Sequence, residues 1–106
     1  MAIQSELNNK LFTLEIVNGN GVKGFARKTG ETLAEIGLNQ PYQVSNKKRY
    51  NQYTTVLQHK VGYREEAIQL AKTLSRMPVL VRLDAMPNNA DMRLVLGRDV
   101  VNPYYM

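Results

Sequence analysis

The stretch Val17-Asn18-Gly19-Asn20-Gly21-Val22-Lys23-Gly24 constrains the fold of this chain more than any other. Before it, Leu11 to Val17 alternates. Phe12, Leu14 and Ile16 share one face and Thr13, Glu15 and Val17 the other, which predicts a half-buried strand. After it the period becomes helical. Val22, Phe25, Ala26, Thr29, Leu33 and Ile36 form one stripe, while Lys23, Arg27, Lys28, Glu31 and Glu35 fall mostly outside it. Glycines packed into a strand-to-helix joint predict a tight turn that brings the helix back close over the strand. Asn18 and Asn20 are the N-cap candidates, since a short polar side chain can accept from the free N–H groups.

The spacing Gly19-x-Gly21-x-x-Gly24 also matches the dinucleotide fingerprint. That fingerprint needs an acidic residue about 20 positions on to hold the ribose. Tyr42 to Asn46 contains no Asp or Glu. Lys47 to Arg49 could hold a 2′-phosphate instead, but 106 residues leave no room for a full dinucleotide fold and a substrate domain. The turn is therefore expected to be structural, and no cofactor is expected. Nucleotide or weak anion binding at Asn18, Gly19, Asn20, Gly21 and Gly24 stands as an alternative.

Further along, Gly30 weakens the helix interior, Gly37 stops the helix, and Pro41 excludes its continuation. Tyr42 to Asn46 reads as a second strand, Lys47 to Gln52 as a basic loop, and Tyr53 to His59 as a third strand. The short loop makes strands two and three antiparallel neighbours or near neighbours. Tyr63 to Leu74 predicts the second helix, with Tyr63, Ala67, Leu70, Ala71 and Leu74 on its apolar side and Glu65 and Glu66 in its first turn. Val79 to Leu83 and Met92 to Leu96 are the last two strands, the latter closed by Gly97-Arg98-Asp99. The order β-α-β-β-α-β-β predicts an α+β fold: a two-layer α/β sandwich with two helices on one face of a mixed sheet of four to five strands. The domain is expected over residues 11–99, with flexible ends at 1–10 and 100–106.

The chain has no cysteine, which excludes disulfides, cysteine-zinc sites and thiol nucleophiles. Its single histidine, His59, ends a strand between Gln58 and Lys60, has no second ligand nearby, and is expected at the surface. Ser5, Ser45 and Ser75 lack a nucleophile elbow. These absences predict that the domain is not an enzyme and binds no metal. No apolar run approaches the ~20 residues that span a bilayer, and Met1 to Lys10 does not read as a signal peptide.

The positive signal is charge. The chain carries +5 at neutral pH, with Lys47-Lys48-Arg49 as its basic cluster. It has six tyrosines against two phenylalanines, and Tyr42, Tyr50, Tyr53 and Tyr63 surround that cluster. Cations beside aromatic faces suit polyanions and sugars. Tyr42, Lys47, Lys48, Arg49 and Tyr53 are the residues expected to contact an anionic glycan. Tyr63 is expected in the core with a wet hydroxyl.

Three stretches resemble one known family: LEIVNGNGVKGFARKTGETLAEIG at 14–37, YTTVLQHKVGYREEAIQLAKTL at 53–74 and DMRLVLGRD at 91–99. They resemble the C-terminal domain of LytR-type proteins, the LytR–CpsA–Psr envelope group, over most of Leu11 to Asp99. The resemblance implies an extracytoplasmic domain, in the periplasm or cell envelope. In Gram-positive bacteria this domain accompanies a separate phosphotransferase domain, whose arginines and aspartates have no counterpart here, so that activity is not carried over. The family label of transcriptional attenuation does not make the domain a DNA binder. The expected role is a non-catalytic cell-envelope accessory module that binds a wall glycan, an anionic wall polymer or a partner protein. Nucleic-acid binding is the disfavoured alternative. The layout also parallels that of sporulation-related peptidoglycan-binding repeats, by analogy alone.

Overall fold

The computed structural model describes residues 11–101. Of the ends expected to be flexible, 1–10 and 100–106, residues 1–10 and 102–106 lie outside the described residues, while Val100 belongs to a 3-10 turn. Five strands form one sheet: β1 (Leu14–Asn18), β2 (Tyr42–Asn46), β3 (Val56–Lys60), β4 (Val79–Leu83) and β5 (Met92–Leu96). Two helices, α1 (Phe25–Glu35) and α2 (Arg64–Lys72), lie on one face, and 3-10 turns cover Pro87–Asn89 and Arg98–Val100. This is the α+β two-layer sandwich that the sequence predicts.

The strand order is β2-β1-β5-β3-β4. β1 runs parallel to both β2 and β5, β3 runs parallel to β4, and β3 is antiparallel to β5. The sheet is thus two β-α-β units, β1-α1-β2 and β3-α2-β4, joined through the last strand. The expectation that strands two and three are neighbours fails. They run in opposite directions but are separated by β1 and β5. The reason is long-range: each crossover helix places its own pair of parallel strands side by side, and β5 fills the slot between the pairs.

The core lies between the sheet and the helices. Leu14 and Ile16 of β1, Leu57 of β3 and Met92, Leu94 and Leu96 of β5 meet Ala26 and Leu33 of α1 and Ala67, Leu70 and Ala71 of α2. Tyr63 packs against this cluster as expected, half-buried, with the Lys60 ammonium over its ring. β1 is buried on both faces rather than half-buried. On its far face Glu15 is covered by partners: Arg93 Nε at 2.7 Å, Ser45 Oγ at 2.7 Å and Asn88 Nδ2 at 3.1 Å. An interior strand has neighbours on both sides, so its polar face must satisfy itself inside the protein.

His59 is also a correction. It is 2% exposed, not at the surface. In β3 it alternates in phase with Leu57, pairs across from Met92 and therefore faces the helix layer. Its Nδ1 stands 3.2 Å from the Lys60 carbonyl oxygen. β3 itself begins at Val56 rather than Tyr53. The carbonyls of Gln52 and Tyr53 instead accept from the N–H groups of Arg98 and Asp99, outside the strand pairing, and the Thr55 carbonyl accepts from the Val79 N–H at the start of β4.

The helix layer is too narrow for the sheet. α1 packs on β1 and β2, and α2 packs on β3 and β4, leaving β5 as the strand between them. With strands ~4.8 Å apart, helices centred on those two pairs stand ~14 Å apart, against the ~8–10 Å of close-packed helices. Leu33, Leu70 and Leu94 belong to one buried cluster across this gap. Toward the carboxyl end of β5 the gap stays open.

Candidate functional site: a cationic pole beside an interhelical cleft

Strand directions define two poles. One carries the carboxyl ends of β1, β2 and β5 and the amino ends of β3 and β4. Because α1 follows β1 and α2 precedes β4, the first turn of α1 and the last turn of α2 are at this same pole.

The glycine turn sits here and is closed by its own side chains. Asn18 Oδ1 accepts from the N–H groups of Asn20 and Gly21, both at 3.1 Å. Asn18 Nδ2 donates to the Val22 carbonyl at 2.7 Å. Asn20 Oδ1 accepts from the Val22 N–H at 2.9 Å, and Asn20 Nδ2 donates to the Gly97 carbonyl at 3.1 Å. The Gly19 N–H donates to the Leu96 carbonyl at 2.9 Å. Neither asparagine caps the helix, contrary to expectation. The N-cap is Gly24, in the left-handed region at φ 75° with no side-chain acceptor, and α1 starts at Phe25. A Cβ at Gly19 would lie 2.7 Å from Gln52 Cβ and 2.8 Å from the Leu96 oxygen, so this glycine permits close approach of three segments. The N–H groups of residues 19–22, which a phosphate cradle would need, already have acceptors.

The residues at the end of β5 lock the neighbouring loop. The Asp99 carboxylate accepts from the Thr55 N–H at 3.0 Å and from the Thr55 hydroxyl at 2.6 Å. The Thr55 hydroxyl oxygen in turn accepts from the Gly97 N–H at 2.9 Å. Arg98 reaches outward, its guanidinium 5.2 Å from the Tyr53 ring centroid and its Nη2 donating to the Tyr50 carbonyl at 3.2 Å. Tyr50 lies over the turn, close enough that a Cβ at Gly21 would be 3.1 Å from its ring.

Charge collects at this pole. Lys23, Arg27 and Lys28 come from the start of α1, and Lys47, Lys48 and Arg49 from the loop after β2. Lys72 and Arg76 come from the end of α2, and Arg98 follows β5. Against these nine cations stands, among the described residues, one carboxylate, Asp99, and it is buried. Lys47 is held by Asn51 and Gln52 through its ammonium, Arg76 by Asp99 at 3.6 Å, and Arg98 by Tyr50 and Tyr53. The other six have no partner among the described residues. The opposite pole and the helix halves beside it carry Glu31, Glu35, Glu65, Glu66, Asp84 and Asp91 against Lys60, Arg64 and Arg82.

Of the residues expected to bind a glycan, the structure brings Lys47, Lys48, Arg49 and Tyr53 to this pole. Tyr53 is 70% exposed. Tyr42 is elsewhere. It starts β2 at the opposite end of the strand and packs against the core, where a Cβ at Gly30 of α1 would lie 2.3 Å from its ring. Arg98 and Tyr50 join the pole although neither is among the residues expected to contact a glycan. Their signal was their charge and type, but only the loop-to-β5 contact makes them neighbours.

Beside the pole, the gap in the helix layer is a cleft of about 410 Å³. Phe25, Leu33 and Ile36 form one wall, Leu74 the other, and Leu96 and Val100 the floor. Its threonine hydroxyls are committed to the protein, and only the exposed Ser75 hydroxyl is not. Thr29 donates to the Phe25 carbonyl, Thr32 to that of Lys28, and Thr73 to that of Leu70. The rim carries Lys28 and Arg76.

No group of His, Asp or Glu able to hold a metal ion occurs among the described residues. The fold and site therefore define a small α+β domain with one strongly basic end. The profile of the family described as LytR cell envelope-related transcriptional attenuator matches residues 12–99, and the chain belongs to this LytR C-terminal domain family. Among solved structures it is similar to the soluble domain (residues 71-217) of a conserved hypothetical secreted protein, an Rv2700 ortholog, from Mycobacterium marinum. The identity is 17% and the TM-score 0.61, covering 91% of this chain and 69% of that one. It is also similar to the C-terminal domain of RV0431, at 18% identity and a TM-score of 0.54, covering 81% and 71% of the two chains. At these identities the likeness is one of fold. No curated protein matches the chain.

Proposed function

We propose that this domain is a non-catalytic module of the cell envelope, working outside the cytoplasm, whose basic pole binds an anionic wall polymer. The observation that carries this reading is the gathering of nine cations at one pole that holds, among the described residues, a single buried carboxylate, with six of the nine lacking a side-chain partner among those residues. A surface of one sign attracts a polyanion over the Debye length and binds it with release of counterions. Exposed Tyr53, with the Arg98 guanidinium over its ring, adds an aromatic surface on which a sugar ring can lie. Membership of an envelope-related family supports the choice of a wall polymer over other polyanions.

The test is co-sedimentation with purified sacculi, with and without their anionic polymer. The protein is expected to pellet with the intact sacculi, less so as salt rises, and to lose binding when Lys47, Lys48 and Arg49 are replaced together by alanine. Absence of binding, or binding unchanged in that triple variant, removes the proposal. Equal competition by duplex DNA would instead favour a general polyanion binder.

A further inference from the structure

We infer that the interhelical cleft is a binding site for a single-chain anionic amphiphile, its chain between the helices and its acidic head at the basic rim. The inference does not rest on polymer binding at the pole. Three observations carry it. First, the cleft follows from the topology, because two helices seated on the outer strand pairs leave β5 without a helix of its own. Second, its lining is apolar in fact as well as in name. The Thr29, Thr32 and Thr73 hydroxyls all donate to carbonyls of their own helices, which leaves their methyl groups and the Phe25, Leu33, Leu74, Leu96 and Val100 side chains as the surface offered. Third, its charged groups are cationic, and apart from them only the exposed Ser75 hydroxyl is uncommitted. Lys28 has no partner among the described residues, and Arg76 stands 3.6 Å from Asp99, beyond normal hydrogen-bond length, so its guanidinium retains donors.

The size suits one chain. About 410 Å³ is within the range of small-molecule sites. At roughly 30 Å³ per water-sized group, it holds about a dozen methylenes and has no room for a second chain. A phosphate or carboxylate head can accept from Lys28 and from the Arg76 donors that Asp99 leaves free, an ion pairing that a neutral or cationic head cannot make.

The experiment uses isotope-labelled protein titrated with octyl, decyl and dodecyl phosphate below their micelle-forming concentrations. Decyl maltoside and inorganic phosphate serve as the comparison probes. Decyl phosphate is expected to shift the amides of Leu33, Leu74, Leu96 and Val100, with affinity rising about fourfold per added methylene. Lys28→Gln, at an exposed position, is expected to weaken decyl phosphate severalfold while leaving decyl maltoside unchanged. Shifts confined to residues 47–49 and Arg98, or reproduced by inorganic phosphate, would place the anion on the pole and overturn the inference. Equal binding of maltoside and phosphate, or affinity independent of chain length, would overturn it as well.

Discussion

Reversing the charge at Lys23 should stabilise the fold and weaken polymer binding at the same time. Lys23 is exposed and stands one residue before Gly24, the N-cap of α1. The helix has no acid in its first turn, and Gly24 offers its free N–H groups no side-chain acceptor. A helix N-terminus acts as roughly half a positive charge. At ~8 Å in water-like dielectric, half a charge repels an ammonium by ~0.25 kcal/mol, and sign reversal doubles the difference to ~0.5 kcal/mol. Lys23→Glu should thus raise Tm by roughly 2–4 °C in a thermal melt at low ionic strength. In 1 M salt, where the Debye length is ~3 Å, most of the gain should vanish. The same variant should lower affinity for the anionic polymer and reduce the salt slope of binding by about one unit. A lower Tm at low salt would show that the lysine serves the helix. Unchanged polymer binding would show that it does not serve the pole. Either result refutes the reasoning.

Gly30→Ala tests the contact between α1 and β2. An exposed helical glycine gains ~1 kcal/mol on conversion to alanine, but here the new Cβ would lie 2.3 Å from Tyr42 Cε1. Urea unfolding should show a net loss of about 1–3 kcal/mol, recovered in part by Gly30→Ala with Tyr42→Leu. Glu15 governs the acid limb of stability. Burial pushes its carboxyl up, but hydrogen bonds from Ser45 and Arg93, the Arg93 charge and the Asn88 amide outweigh burial and hold it below the ordinary 4.5. The unfolded chain therefore takes up the proton first as pH falls. Glu15's contribution is complete above about pH 4.5 and is lost as pH drops through its folded value. Glu15→Gln should be less stable at pH 7 and show a flatter decline between about pH 5 and 3, measured by denaturant midpoints across pH.

What the sequence made legible was local. β2, β4 and β5 lie where expected, because β4 and β5 are short apolar runs and β2 alternates Tyr42 and Val44 with polar residues, each bounded by turn residues. Both helices are present on one face, since their stripes have the helical period. The misreadings share a cause, which is contact distant in sequence. Asn18 and Asn20 have the chemistry of N-caps, but β5 draws Asn20 to Gly97 and the turn consumes both side chains. His59 reads as a polar strand end until its phase with Leu57 is set against the helix layer. Tyr53 reads as strand until Asp99 and Arg98 claim the backbone beside it. The basic loop was visible as a run, but the pole was not. It needs the strand directions to bring Lys23, Lys72 and Arg98 to the same end. The cleft was invisible for the same reason, since it exists only because β5 is inserted between two helix-covered pairs.

The two helices separate local stability from function in the placement of charge. α2 follows the dipole rule on balance, with Glu65 and Glu66 in its first turn against Arg64 at its first position, and Lys72 in its last turn. α1 breaks it, with Lys23, Arg27 and Lys28 around its amino end and Glu31 and Glu35 in its second half. The helices run in opposite directions, so a single dipole rule would put opposite charges at the shared pole. Both instead put cations there. Helix stability explains α2 and contradicts α1, whereas position in the fold explains both. Each misplaced lysine or arginine forgoes a few tenths of a kcal/mol that an acid would have contributed. A sequence that accepts this loss on one helix, while its other helix carries acids in its first turn and a lysine in its last, supports the proposal that the pole is a binding surface. That is the physical case for a polyanion there, and it stands independently of the net charge of the chain.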